Sequence, residues 1–396
     1  MPVEGEFDDR PQKRRISVGE LREYVESTAR VAEDVLSPNG SVLLPYGTEL
    51  GSLIASVDNL ERDLRKWGIY SIPIIFQRVL DVHELEEILK NAGINVSTID
   101  PELARQTVEQ VENVYGRIAE GVCDPQDISR LATQGRIIAQ EIAQVPQVML
   151  CLGRVRQWDE YTYVHSLNVA LLGGFLANRI CPGQPEVVEA LSVGGVLHDL
   201  GKARVPQEVL NKPGRLTDEE FEVMKKHAAY GEETAIENGV SDRRVLSVIR
   251  GHHERYSGNG YPDGLVKEQI SLEARIAAVA DVFDALTAKR VYKEPMASRA
   301  AVSLMIENMG SHFDPHVVRV LLVAIGLYPP GTAVELSDGS MGVVVGARGN
   351  DLLRPEVLLQ IDRLGHKIQD LKIVDLGISD SLFVQRPIQD VGKIAF

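Results

Sequence analysis

The stretch Leu191-Ser192-Val193-Gly194-Gly195-Val196-Leu197-His198-Asp199-Leu200-Gly201-Lys202 decides how the rest of the chain is read. Leu191, Gly194, Gly195 and His198 follow helical spacing, which puts a histidine and its neighbouring carboxylate on the apolar side of a predicted helix. Four more segments repeat the arrangement. Tyr161, His165, Asn168 and Leu172 share one helical face. Thr217-x-x-Glu220 reads as a capping box, opening a helix that runs through Phe221, Met224, His227 and Ala228. Val245, Val248, Ile249 and His252 form another stripe, with His253 beside it, and Ala277, Ala280, Asp281 and Asp284 form the fifth. Of the 9 histidines, His83, His312, His316 and His366 fall outside this window.

A lone histidine on an apolar face is usually a hydrogen-bonded core residue, and a lone His-Asp pair is a weak signal of metal. Five helices repeating the coincidence are harder to explain that way. Buried charge is costly unless paired or coordinated, so a cation shared by these groups is the economical reading.

Composition bounds the alternatives. A chain of 396 residues suggests two or three domains, and 44% hydrophobic with 25% charged residues is ordinary for a soluble globular protein. A net charge of -15 argues against a nucleic-acid polymer or an anionic membrane as partner. An anionic substrate would be held by local basic groups and metal. Cys123, Cys151 and Cys181 are odd in number and lack a Cys-x-x-Cys pair, as expected of reduced, buried thiols in a cytosolic protein. Residues 1–15 have no apolar core of a signal peptide, and the run Val317 to Leu327 is too short to span a bilayer. The expected location is cytoplasmic.

Along the chain, residues 1–15 read as a disordered tail and 16–100 as a small regulatory α/β domain. In that domain Leu21 to Leu36 has a helical pattern and Val42 to Leu44 a short strand. Val57, Leu60, Leu64 and Trp67 mark a helix stopping at Gly68, and Pro73 confines the strand Ile69 to Phe76 to an edge. Residues 101–140 form a helical connector, with Leu103, Val108, Val111 and Val114 on one helix and Ile128, Leu131, Ile138 and Ile142 on the next; its helices could also pair between subunits of a homodimer. An all-α domain covers 141–328. Its last helix opens at Asp314-Pro315, which makes His312 and His316 structural. Residues 329–396 turn to short strands, with a hairpin about Asp338-Gly339, and read as a small β-rich module packed on the helical core.

Leu197-His198-Asp199-Leu200-Gly201-Lys202, His252-His253-Glu254, Gly258-Asn259-Gly260-Tyr261-Pro262, the run Ala280 to Thr287 and the run Gly310 to Pro315 together resemble the HD-GYP family of cyclic-di-GMP phosphodiesterases. That family lies within the HD superfamily of metal-dependent phosphohydrolases, and the resemblance covers roughly residues 140–330. It implies a multidomain, mainly α protein built on an all-α HD-type helical bundle. His165, His198, Asp199, His227, His252, His253 and Asp281 match the family's metal ligands, with Asp199 bridging two divalent ions, usually iron or manganese. Members with a third ion carry a glutamate where this chain has Tyr161, while Glu160 falls on the wrong face, so a binuclear site is expected. Lys202 matches a lysine that reaches a phosphate near the ions, and Arg290 and Lys293 match basic positions that grip substrate phosphates. Asp284 reads either as a group orienting a ligand or as half of a structural salt bridge. The loop 258–264, with Tyr261, would shape the pocket and offer a surface to a GGDEF diguanylate cyclase.

Imidazole and carboxylate ligands suit iron, manganese or zinc. Two ions about 3.5–4 Å apart can share a hydroxide and stabilise in-line displacement at phosphorus. The expectation is hydrolysis of cyclic-di-GMP to pGpG, with further cleavage to GMP or action on another cyclic dinucleotide left open. The rival is a signalling adaptor that binds a cyclic dinucleotide, or a diguanylate cyclase, without turnover.

Overall fold

The computed structural model describes residues 14–25, 29–57, 59–76, 90, 99–145, 161–288, 296, 298–326, 328, 332–346, 353–364, 366–379 and 381–387. Two units emerge, one formed by residues 1–94 with 328–395 and the other by residues 95–327.

In the first unit, β1 (Arg14–Ser17) leads through a 3-10 turn, Val18–Tyr24, into β2 (Ala29–Val31), β3 (Val35–Leu36) and β4 (Val42–Leu44). Helices α1 (Leu50–Ser56) and α2 (Leu60–Lys66) precede β5 (Ser71–Phe76). The helical pattern read over Leu21 to Leu36 is therefore corrected to a 3-10 turn followed by two strands. Helix α2 does stop before Gly68, whose φ of +76° suits a residue without a Cβ. Arg14 and Arg15, expected in a disordered tail, pair with Ile74 and Pro73.

The strand carrying Pro73 is central rather than peripheral, in a sheet of order β1-β5-β2. Proline is tolerated there for a local reason. Ala32 N–H donates to Pro73 O at 2.8 Å, so the proline nitrogen faces the same side, just past the end of β2 at Val31, where no ladder bond is required of it.

The C-terminal strands are β6 (Ala333–Leu336), β7 (Met341–Gly346), β8 (Glu356–Ile361), β9 (Lys367–Asp375) and β10 (Val384–Pro387), in the order β10-β6-β7-β8-β9. The β6–β7 hairpin turns at Gly339, with φ +86°. This module shares a core with the N-terminal strands: Met341 and Ile361 belong to one hydrophobic cluster with Ile16, Leu50, Ile72 and Ile74.

The second unit is helical, and side-chain caps set its boundaries. Helix α3 (Pro101–Ala119) starts where Asp100 accepts from Glu102 N–H at 2.9 Å, and α4 (Pro125–Ile142) starts on the capping box of Asp124 and Asp127. Then come α5 (Tyr161–Ile180), α6 (Pro185–Leu197), the single turn α7 (Gln207–Leu210) and α8 (Asp218–Lys225). The Thr217–Glu220 capping box is present at the start of α8. The helix predicted to run on through Ala228 is interrupted at Lys226, and a new one, α9 (His227–Glu237), begins with the histidine. Helices α10 (Arg243–Gly251), α11 (Leu272–Thr287), α12 (Ser298–Glu307) and α13 (Pro315–Ile325) complete the unit. Asp314 caps α13 through His316 N–H at 2.7 Å, as its sequence suggests.

Every residue of helix α6 from Ala190 to Leu197 is buried, and the helix packs against α4, α5 and α10. Its small residues permit the approach: a Cβ on Gly195 would lie 2.5 Å from the Cα of Ala170 on α5. The pair α3 and α4, read as a connector, lies within this unit, where α4 packs on α6. Phe175 and Phe283 are among its largest fully buried side chains, each contributing about 1.5–3 kcal/mol by leaving water. No helix among the described residues is long and apolar enough to cross a membrane.

Candidate metal centre

The histidines stand mostly at helix ends, and the ends aim them. His198 follows the last residue of α6, and His252 follows the last residue of α10. His227 starts α9 directly after α8. In all three, ring Nδ1 lies on a main-chain carbonyl of the residue three earlier: Gly195 O at 2.7 Å, Met224 O at 2.7 Å and Ile249 O at 2.9 Å. A carbonyl can only accept, so Nδ1 carries the proton and Nε2 is left with its lone pair.

The three Nε2 atoms turn toward one carboxylate. Asp199 Oδ2 lies 3.3 Å from His198 Nε2, while Oδ1 lies 3.6 Å from His227 Nε2 and 3.9 Å from His252 Nε2. Two groups with metal-ligand spacing result, His165-His198-Asp199 and Asp199-His227-His252-His253, and they share Asp199. Asp281 closes the ring, with Oδ1 3.0 Å from His165 Nε2 and Oδ2 3.8 Å from His253 Nδ1. Behind the cluster, Asp284 receives His165 Nδ1–H at 2.8 Å on one oxygen and the Asn168 amide at 3.0 Å on the other. Lys202 contacts Asp199 directly.

His198 Nε2 and Asp199 Oδ1 are buried and make no hydrogen bond. Buried polar atoms of native proteins rarely go without a partner, so lone pairs left facing one another mark a place suited to a cation. The donor set, imidazole nitrogen and carboxylate oxygen, fits iron, manganese or zinc.

The electrostatics agree with that chemistry. Burial pushes His227, His252 and His253 down, His253 to about 3, which keeps these imidazoles neutral as metal ligands must be. Burial works against the charge on Asp199, but His198 and Lys202 outweigh it and hold that carboxyl well below the usual range. His165 departs from this pattern: burial is overcome by the hydrogen bonds to Asp281 and Asp284, and its pKa rises to about 9, so an ion bound through its Nε2 must displace a proton.

The cluster floors a cavity of about 680 Å³. Tyr261 lies over it, its ring centroid 4.7 Å from that of His253. One carboxylate pins the loop that carries this tyrosine. Buried Glu254 accepts the N–H groups of Asp263, Gly264 and Leu265 at 2.7, 3.1 and 3.0 Å, and Arg250 clamps Asp263 at 2.6 and 2.7 Å. The turn after Asp199 is equally constrained: a Cβ on Gly201 would meet His227 O at 1.9 Å.

All seven residues singled out as ligands thus meet in one place, with Lys202, Tyr261 and Asp284 around them. Arg290, Lys293 and Glu160 lie outside the described residues, as does Cys151; Cys123 and Cys181 are free thiols. Sequence reading missed three contributors. Tyr115 and Tyr163 line the cavity, and Glu254 was quoted without a role. Tyr115 continues the apolar spacing of Val108 and Val111, so nothing in the pattern separates it from core.

A family model described as "HD domain" matches residues 181–317, and one described as "KOW domain associated with HD domain" matches residues 333–391. A cyclic di-GMP phosphodiesterase of Pseudomonas aeruginosa is 41% identical over 240 residues, which are 61% of this chain and 58% of that one. A cyclic di-GMP phosphodiesterase response regulator of Xanthomonas campestris is 34% identical over 275 residues, covering 67% of this chain and 72% of that one. The chain belongs to the HD-GYP family. A solved HD-GYP protein from Bdellovibrio bacteriovorus aligns with a TM-score of 0.45 and 18% identity, covering 78% of this chain and 98% of its own. The HD domain match falls within the helical unit that carries the clustered histidines and carboxylates, and the KOW match follows it in the chain.

Proposed function

We propose that this chain is a cyclic-di-GMP phosphodiesterase that opens its substrate to linear pGpG. The observation that carries the reading is Asp199, one carboxylate shared by two ligand groups, with an unpartnered oxygen facing imidazole lone pairs. In this reading His165, His198, Asp199 and Asp281 hold one divalent ion, and Asp199, His227, His252 and His253 hold a second, iron or manganese being the best match. Bound there, the pair would supply a hydroxide at neutral pH and neutralise charge on the phosphoryl oxygens.

The chain's own residues do the rest. Asp284 holds His165 in place through Nδ1, leaving Nε2 for the centre. Lys202, half-buried at the cavity wall beside Asp199, offsets charge that develops on the phosphate. Tyr261 offers a face for the ligand over His253, and the loop clamp at Glu254 keeps it there. Arg290 and Lys293 are assigned to the substrate phosphates on sequence alone.

Protein loaded anaerobically with iron or manganese is expected to convert cyclic-di-GMP to pGpG, followed by chromatography, and elemental analysis should find two ions per chain. The double substitution His198→Ala with Asp199→Ala should abolish both. Turnover that survives it sinks the assignment, whereas wild-type protein that binds nucleotide without hydrolysis supports the adaptor reading. Parallel assays with other cyclic dinucleotides fix the preference, and a GMP product would show a second cleavage.

A further inference from the structure

Gln207 and Leu210 of the single-turn helix α7, and Asn211 that ends it, line the cavity over the His/Asp cluster. Their i, i+3, i+4 spacing puts them on one face, while Val209 between them is buried. Lys202, in the 3-10 turn Leu200–Arg204 just before α7, lines the same cavity. Gln207 and Asn211 are the only side-chain amides among the described lining residues, and both are exposed. They also hold each other: Asn211 Nδ2–H donates to Gln207 Oε1 at 2.7 Å. That bond orients both amides in advance and leaves Gln207 Nε2 as a donor and Asn211 Oδ1 as an acceptor, neither with a partner among the described residues. A donor beside an acceptor is the complement of the guanine edge, where the O6 acceptor stands next to the N1–H donor. Adenine presents the reverse, an N6–H donor next to the N1 acceptor.

We propose that Gln207 and Asn211 read the base of the bound nucleotide, Gln207 donating to guanine O6 and Asn211 accepting from guanine N1–H, while Lys202 serves the phosphate. This rests on the phosphodiesterase reading above and deepens it by naming what selects among cyclic dinucleotides. The two bonds use neither the exocyclic amino group of guanine nor a metal ligand, so hypoxanthine, which keeps O6 and N1–H, satisfies them equally. Adenine sets donor against donor and acceptor against acceptor, and a site built for two base hydrogen bonds then makes neither.

The test uses the full chain loaded with manganese, as wild type, Gln207→Glu and Asn211→Leu. Binding of guanosine, inosine and adenosine monophosphates is measured by calorimetry, alongside manganese content and melting temperature. Wild type should hold the guanosine and inosine nucleotides within about twofold of each other and the adenosine nucleotide about tenfold more weakly, the discrimination expected of one two-bond contact. Gln207→Glu exchanges the donor for an acceptor at constant size, so it should erase the preference for guanosine over adenosine. Asn211→Leu should cut that preference to within about threefold, with manganese content unchanged in both. Adenosine monophosphate bound by wild type as tightly as guanosine monophosphate overturns the proposal. So does an inosine nucleotide bound as weakly as the adenosine one, which would put recognition on the exocyclic amino group. A folded variant that keeps the wild-type preference, or a wild type that binds none of the three, overturns it too. Failure of the function assignment reads differently: the guanosine preference and its loss in the variants persist while wild-type protein leaves cyclic-di-GMP intact.

Discussion

Asp284 shows how far one side chain can act through another. Its two oxygens serve two donors, His165 at 2.8 Å and Asn168 at 3.0 Å, and it is fully buried. An asparagine in its place has one acceptor oxygen for those two donors and brings donors of its own. Asp284→Asn should therefore cost about 10–100-fold in metal affinity, read by competition with a chromogenic chelator, while the fold is kept. Metal affinity equal to wild type would return Asp284 to the role of a structural ion-pair partner. At this scale the sequence was most informative, because imidazole and carboxylate on apolar faces are chemically conspicuous. Tyr115 was not, because a tyrosine on an apolar stripe looks the same whether it lines a cavity or only fills the core.

Among elements, the ones legible in sequence are those with local punctuation: the Thr217–Glu220 box and Asp314-Pro315 both open helices where they should. The misreadings have local causes too. Leu21, Tyr24, Val31 and Val35 satisfy helical spacing, yet they come from a 3-10 turn and two strands whose pairing partners lie elsewhere in the chain. Pro73 looked like an edge marker because its compatibility depends on where β2 stops. The loop carrying Tyr261 makes a pH prediction. Arg250 holds the Asp263 carboxyl below its usual value of 3.8. A depressed carboxyl contributes stability that is present above its unfolded pKa and lost as pH falls through the folded one. The stability gap between wild type and Asp263→Asn, from urea melts, should be flat from about pH 5 to 8 and narrow below about pH 4. A gap that grows on acidification would contradict the clamp.

For the molecule as a whole, ions that bind only folded protein must stabilise it. At a free ion concentration of 100 times the dissociation constant the gain is about 2.7 kcal/mol, or roughly 5–10 °C for a unit of this size. Stripping with a chelator should lower the melting temperature by that order, and manganese should restore it; a scan insensitive to both would argue against a built centre. Sequence gave no hint that the two ends of the chain belong together, since contacts across such distances leave no periodic trace. That union has a consequence for biogenesis. Ile16 and Ile74 share their cluster with Met341 and Ile361, so strands β1 and β5 lack part of their apolar cover until the strands that follow the helical unit have been made. At about 5–20 residues per second the wait lasts some tens of seconds, during which the intervening helices can assemble first. The helical unit, made between those strands, is the part poised to mature before its companion.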